Sequence, residues 1–384
     1  MDLPVPSLRL DAGADAPTIA HTSLAYWRGA SERALAARAA NVLCVIVGAG
    51  HIARADSAAI HLPPPVSACD GQEATIEAWL AGGPVHRADV GPLQFASDGT
   101  VVFGTVTLDD SESRLRAAAR HAYDIIFRAL RDTPCGAPLR FWNFVPRINE
   151  EDDGLERYRH FNIGRQEAFL AARQLAFAGA PSACAVGTRA AALTIHFLAA
   201  RERPLAIENP RQVSAYLYPR AYGPRSPTFS RAALAPLAGQ PMLFISGTAS
   251  IVGHESRHAG DAVAQTVETM ANIDALIGQA SHVLRDEVRG RNVGRPLRSA
   301  TAASAANDAL AAGGGFARDA LDFTIYVRRA EDEAAVRATV TAALGADSRA
   351  ARRAIYLQAD ICRHELLVEI EAVGMPLAKQ TGNH

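Results

Sequence analysis

Near the C-terminus, the stretch "ADICRHELLVEIEA" (residues 359–372) sets two carboxyl groups, Glu369 and Glu371, into an otherwise apolar run. Read as an extended chain, it alternates its faces. Leu366, Val368, Ile370 and Ala372 share one side, and Leu367, Glu369 and Glu371 the other, with the two carboxyls roughly 7 Å apart. Cys362 and Arg363 stand just ahead of it. A strand this apolar carries a glutamate on its buried side where that side meets a pocket or a buried cation.

A second constellation lies mid-chain. "YRHFNIGR" brings Tyr158, Arg159, Asn162 and Arg165, and "ENPRQVSAYLYPRAYGPRSPTFSRA" brings Arg211, Tyr216, Tyr218, Arg220, Tyr222 and Arg225. The second segment is rich in Pro, Gly and Tyr and reads as a loop. Arginines interleaved with phenols suit a small anion, since each guanidinium can hold a carboxylate and each hydroxyl can orient it. The same residues could also form a seam of ordinary ion pairs between domains. Single-stranded nucleic acid is disfavoured by the formal net charge of -1 and by the lack of a basic stripe.

Two motifs mimic known sites. "VLCVIVGAGHIARA" outlines a dinucleotide fingerprint at Gly48, Gly50 and Ala53, but Pro63 arrives too soon for the full helix that pyrophosphate binding requires. It reads as a tight turn after a core strand. "HESRH" (residues 254–258) spells a zinc-protease motif, yet it falls between a strand and a helix instead of on a helix. No metal site is expected there.

These candidates need elements to position them. At 384 residues, with hydrophobic residues at 49% and charged residues at 21%, the chain suits two domains with substantial cores. "DDSESRLRAAARHAYDIIFRALRDT" carries a helical stripe through Leu115, Ala118, Ala122, Ile125 and Ile126, with Asp110 or Ser111 as candidate caps. The strand "LRFWNFV" and the helix "RQEAFLAARQLAFAG", closed by Gly179, follow. The second half repeats the order. "PMLFISGTASIV" is a strand, the next helix has Val263, Val267, Met270 and Ile277 along its apolar side, and "DFTIYVRR", "EDEAAVRATVTAAL", "AIYLQADIC" and "ELLVEIEAV" continue the alternation. The recurring order predicts two related α+β domains, 1–205 and 206–384, with mixed sheets and helices packed on one face. A Gly/Ala/Ser/Arg-rich surface insertion is expected over 289–319. Five cysteines without metal-type spacing, no secretory signal and no membrane-length apolar run predict a reduced cytoplasmic protein.

The segments "RFWNFVPRIN", "YRHFNIGR", "NPRQVSAYLYPRAYGPRSPTFSRA", "FISGTASIVGHESRHAGD" and "ADICRHELLVEIEA", in this order, resemble the chorismatase family. The C-terminal half also resembles YjgF-like deaminase domains, which implies a tandem YjgF/chorismate-mutase-like fold, as a monomer or a homotrimer. Chorismatases cleave the enolpyruvyl ether of chorismate and release pyruvate without metal or organic cofactor. The resemblance implies that Glu369 is the acid that protonates the vinyl ether, with Glu371 as its rival on the same face. It implies that Arg159, Arg165, Tyr216, Arg220, Arg225 and Arg363 hold the substrate. Gly247 and Cys362 match the positions that separate product classes, and Gly with Cys resembles the type forming 3-hydroxybenzoate, with 4-hydroxybenzoate as a possible second product. A hydrolytic chorismatase giving a dihydroxy-cyclohexadiene carboxylate, a deaminase-like protein and a non-catalytic carboxylate binder are the alternatives.

Overall fold

A computed structural model describes residues 25–29, 42–47, 60–62, 66–69, 76–81, 83–109, 115–237, 240–288 and 315–376. The glycine turn at 48–53, the candidate caps Asp110 and Ser111, and residues 289–314 of the expected insertion lie outside the described residues.

Two large mixed sheets carry the site. One has six strands in the order Ser182–Thr188, Ala137–Pro146, Ala192–Ala200, Val101–Asp109, Leu93–Ser97, His86–Val90. The other has seven, in the order Leu205–Ile207, Ala232–Leu237, Gln240–Ala249, Val368–Gly374, Leu321–Val327, Ile355–Gln358, Ser67–Ala68. Read from opposite ends, the two orders coincide over six strands. Each sheet also has one parallel pair in the same place, Ser182–Thr188 with Ala137–Pro146 and Ile355–Gln358 with Leu321–Val327. The repeated order of elements is thus a repeated topology, in which each parallel pair is bridged by a helical crossover.

Helices cover one face of each sheet. Leu115–Arg131 and Arg157–Ala171 pack on the six-stranded sheet around Tyr123, Phe141, Phe161, Phe169 and Phe197. Ala262–Val288 and Glu333–Leu344 pack on the seven-stranded sheet around Ile273, Leu276, Phe323 and Ile370. The remaining faces meet each other, with Phe103, Leu139 and Leu198 of one sheet against Ala233, Met242 and Phe244 of the other. Alternation does the sorting: in Val368–Gly374, Val368, Ile370 and Ala372 join the helix-side core, while Glu369 and Glu371 point at the opposite sheet. No helix among the described residues is long and apolar enough to cross a membrane.

Three local expectations are corrected. The helix placed at "RQEAFLAARQLAFAG" runs instead over Arg157–Ala171, so "YRHFNIGR" is its first half. Phe161, Gly164, Ala168 and Phe169 supply its buried side, and Gly164 lets its backbone meet the neighbouring helix. On the long helix Ala262–Val288, Val263 and Val267 are exposed, at 44% and 57%. The buried side is led there by Gln265, Thr269 and Asn272: Gln265 serves Glu365 O and Leu367 N, Asn272 serves Ala249 O and Ile251 O, and Thr269 Oγ1 donates back to Gln265 O. Finally, the last strand begins at Val368, so Leu366 joins a separate cluster with Phe144 and Val186 instead of the face of Val368 and Ile370.

Candidate active site

Glu369, 3% exposed, lies at the base of a pocket of about 280 Å³ between the two sheets. Its wall is built from the helix start (Tyr158, Arg159), the loop before the last strand (Cys362, Arg363), the mid-chain loop (Tyr218, Tyr222) and the strand ends at Arg231 and Gly247. The Oε1 atom of Glu369 is buried and has no hydrogen-bond partner among the described residues. Burial, reinforced by the charge of Glu371 and opposed by Arg140, pushes this carboxyl up to about 8. The shift favours the protonated form at neutral pH.

A bulge makes room for it. Strand Gln240–Ala249 pairs Ile245 with Ala372 and Thr248 with Ile370, so Ser246 and Gly247 together face one residue. The bulge lays Gly247, which has no side chain, against the Glu369 carboxyl.

Arg363 is the best-aimed cation. Its Nη1 donates to His254 O at 2.9 Å and to Ser256 Oγ at 3.0 Å, and its guanidinium lies 4.1 Å from the Tyr222 ring centroid and 5.2 Å from that of Tyr218. Its Nη2 is buried without a hydrogen-bond partner among the described residues. The residues of "HESRH" supply that support. Ile251–Val252 and Glu255–Ser256 form a small hairpin, with His254 near its tip, 3.2 Å from the Tyr222 hydroxyl. His258 follows in a left-handed conformation (φ 57°) and contacts Glu268. The motif is a hairpin that holds Arg363, not two histidines one turn apart on a helix.

The other expected residues divide. Arg159 lines the pocket and pairs with Glu156 at 3.4 Å. Arg165 is buried two turns further along the same helix, its guanidinium 5.1 to 5.4 Å from the rings of Tyr123, Phe141 and Phe169. Its Nε and Nη2 have no hydrogen-bond partner among the described residues, and it faces a smaller chamber of about 30 Å³. That chamber adjoins the main pocket, sharing Tyr158, Phe229, Gly247, Cys362 and Glu369 with it. Burial lowers the guanidinium's proton affinity. Cys362 lines both spaces, and burial, with the charge of Glu369 adding to it, pushes its thiol up to about 12. Tyr216, Arg220 and Arg225 stand outside both linings; Arg220 and Arg225 are exposed, and Tyr216 accepts a backbone bond from Ser226 Oγ at 3.0 Å.

Arg231 escaped the sequence reading. It is 3% exposed and lines the pocket, and its Nη2 donates to Val213 O at 2.7 Å and Tyr218 Oη at 2.6 Å, while Nε has no hydrogen-bond partner among the described residues. The signal for it resembles that for Arg363, a lone arginine at the mouth of an apolar strand, here Ala232–Leu237. Glu371 takes the other outcome open to a buried carboxyl, an ion pair with Arg140.

Residues 77–199 match the family model described as Chorismatase FkbO/Hyg5-like, N-terminal. A protein of Streptomyces hygroscopicus named 3-hydroxybenzoate synthase is 35% identical over 307 residues, covering 78% of this chain and 81% of its own. The chain belongs to the chorismatase family. A chorismatase of Streptomyces rapamycinicus is 36% identical over 306 residues, 78% of this chain and 82% of its own. A crystal structure of a chorismatase superposes with a TM-score of 0.75 at 30% identity, over 93% of this chain and 100% of that one.

Proposed function

We propose that this protein cleaves the enolpyruvyl ether of chorismate, releasing pyruvate and leaving 3-hydroxybenzoate. The observation that carries the reading is the Glu369 carboxyl, buried and without a hydrogen-bond partner at Oε1 among the described residues, at the base of a pocket walled by arginines and phenols, where burial raises its proton affinity. Protonation of a vinyl-ether carbon needs an acid that still holds its proton at working pH. Glu369 gives its proton to the methylene carbon, and the ether becomes an oxocarbenium ion. The neighbouring ring hydroxyl then attacks the ether-bearing ring carbon. The C–O bond to the former enolpyruvyl group breaks, its electrons leave with pyruvate, and the hydroxyl proton returns to the site. The resulting arene oxide opens and loses a ring proton to restore aromaticity. Chorismate divides into two products with no water consumed and no oxidant required.

Arg363, Arg231 and Arg159 supply the cations for the two carboxylates around the main pocket, and Arg165 does so at the inner chamber. Gly247 and Cys362 assign the chain to the hydroxybenzoate-forming type, as the resemblance has it, and the relative named 3-hydroxybenzoate synthase supports that assignment. We place the division of the chain near residue 205; past it every strand of the two large sheets belongs to the seven-stranded one, which Ser67–Ala68 joins from the first half. Among the described residues Cys135, Cys184 and Cys362 form no disulfide, which suits a reducing compartment, the cytoplasm.

The test is incubation with chorismate followed by chromatography. Stoichiometric pyruvate with 3-hydroxybenzoate supports the reading. Pyruvate with a dihydroxy-cyclohexadiene carboxylate would place the enzyme in the hydrolytic class, and unchanged chorismate would refute both.

A further inference from the structure

Glu371 lies two residues beyond Glu369 on the same strand face, yet their surroundings differ. Arg140 Nη2 bonds Glu371 Oε2 in a buried ion pair, and Trp142 Nε1 and Tyr326 Oη each donate to Oε1 at 3.2 Å. A buried guanidinium and two further donors aimed at both oxygens suit a carboxylate, which accepts at every lone pair and donates nothing. Arg140 is 2% exposed and is fixed in turn, its Nη1 donating to Ile245 O at 3.0 Å and its guanidinium 5.3 Å from the Trp142 ring centroid. The donors are therefore all spent on one carboxyl of the pair. Like charges in one dry site oppose each other's ionisation, so the donor set decides which group stays neutral.

We propose that Glu371 is a positioning residue for the acid: anchored as an anion by Arg140, Trp142 and Tyr326, it keeps the transferable proton on Glu369. This rests on Glu369 being the acid for chorismate. The other groups facing Glu369 do not substitute for Glu371. Cys184 on strand Ser182–Thr188, Tyr158 on helix Arg157–Ala171 and Cys362 on the preceding loop are held neutral by burial. Tyr326, the cross-strand neighbour of Glu369, is neutral for the same reason. Arg363, Arg231 and Arg159 line the pocket and Arg165 the inner chamber; as cations they can only favour ionisation of Glu369, as Arg140 does. Glu156, Glu365 and His364 also line the main pocket, on elements other than the last strand. Of the anions, Glu371 alone shares the strand face of Glu369.

The experiment follows kcat/KM for chorismate against pH in wild type, Glu371→Gln and Tyr326→Phe. The wild-type alkaline limb is expected near 8. Glu371→Gln removes the neighbouring anion and leaves Arg140 acting on Glu369, so the limb moves down by about one pH unit or more. Tyr326→Phe removes a donor that screens the Glu371 charge while Arg140 keeps that charge in place, so the anion bears more fully on Glu369 and the limb moves up. Opposite displacements support the proposal. A merely structural role lowers kcat or Tm and leaves both limbs in place, which would overturn it. Breaking a buried pair can unfold a protein; if Glu371→Gln does not fold, Tyr326→Phe decides, and a limb unmoved or moved downward overturns the proposal. The infrared C=O band of the protonated carboxyl, assigned by its absence in Glu369→Gln, is titrated in parallel. It reports the same displacements without turnover, so a failure of the chorismate reading is told apart from a failure of this one.

Discussion

Gly247 lies against the Glu369 carboxyl so closely that a Cβ built on it would stand 1.9 Å from Oε1 and 2.7 Å from Cδ. It would also come within 3.1 Å of Cys184 Cβ. Any side chain at 247 therefore competes for the space of the proposed acid. The position that the family resemblance links to product class is, in this fold, the seat of the proton donor.

Gly247→Ala is expected to leave the fold intact, since the nearest atom is the free end of a side chain that can rotate away. Moving the carboxyl by an ångström or more should lower kcat by about a hundredfold. In Gly247→Ala/Cys362→Ala, the remaining turnover should shift toward the water-addition diene. Circular dichroism and product chromatography check both points; wild-type turnover in Gly247→Ala would separate this contact from catalysis.

Glu369→Gln keeps the shape of the side chain and removes its proton. Turnover should fall by about 10²–10⁴-fold, the usual contribution of a general acid. Stability should move the other way. The carboxyl sits near 4.5 when unfolded and is raised to about 8 when folded, so the folded state binds the extra proton between these values. Wild-type stability therefore falls as pH rises across that window. The Tm advantage of Glu369→Gln should be negligible below about 4.5 and largest above about 8. A constant Tm difference across this range would contradict a raised Glu369.

Arg363→Ala should raise the KM for chorismate by about ten- to a hundredfold, the worth of one charge-assisted hydrogen bond. Arg220→Ala and Arg225→Ala should change KM by less than about threefold, because both side chains are exposed and outside the pocket lining. Steady-state kinetics on the three variants test this ranking, and a larger effect from Arg220 or Arg225 would relocate the anion site.

Gly164→Ala should destabilise the protein without touching chemistry. A Cβ there would stand 2.1 Å from Arg116 O, backbone that cannot turn aside, so the two helices must separate. Overpacking of this kind costs about 1–3 kcal/mol. Thermal denaturation should show a lower Tm with kcat unchanged at permissive temperature.

Turnover should survive dialysis against a strong chelator. His254 faces Tyr222 and His258 faces Glu268 on a hairpin, so the two imidazoles of "HESRH" do not share a helical face. Loss of activity restored by zinc would overturn this assignment.

The sequence by itself determined that Glu369 and Glu371 share a face, because strand periodicity is a property of neighbouring residues. It also carried the repeated order of elements and a pocket-facing Arg363 beside the last strand. Which carboxyl keeps its proton was decided by tertiary structure alone. Arg140 and Trp142 come from the other sheet, more than two hundred residues earlier in the chain, and they select Glu371 as the anion. The Pro/Gly/Tyr-rich loop was legible as a loop, but short 3₁₀ turns at Ala215–Leu217 and Arg220–Tyr222 set its side-chain directions, sending Tyr218 and Tyr222 to the pocket and Arg220 outward. Val263 and Val267 face outward for a related reason: the first turns of the helix aim Gln265 and Asn272 inward, at Glu365 O and Ala249 O, and composition does not reveal where those partners run. Period and propensity are local, whereas desolvation and charge pairing depend on what the rest of the chain brings alongside.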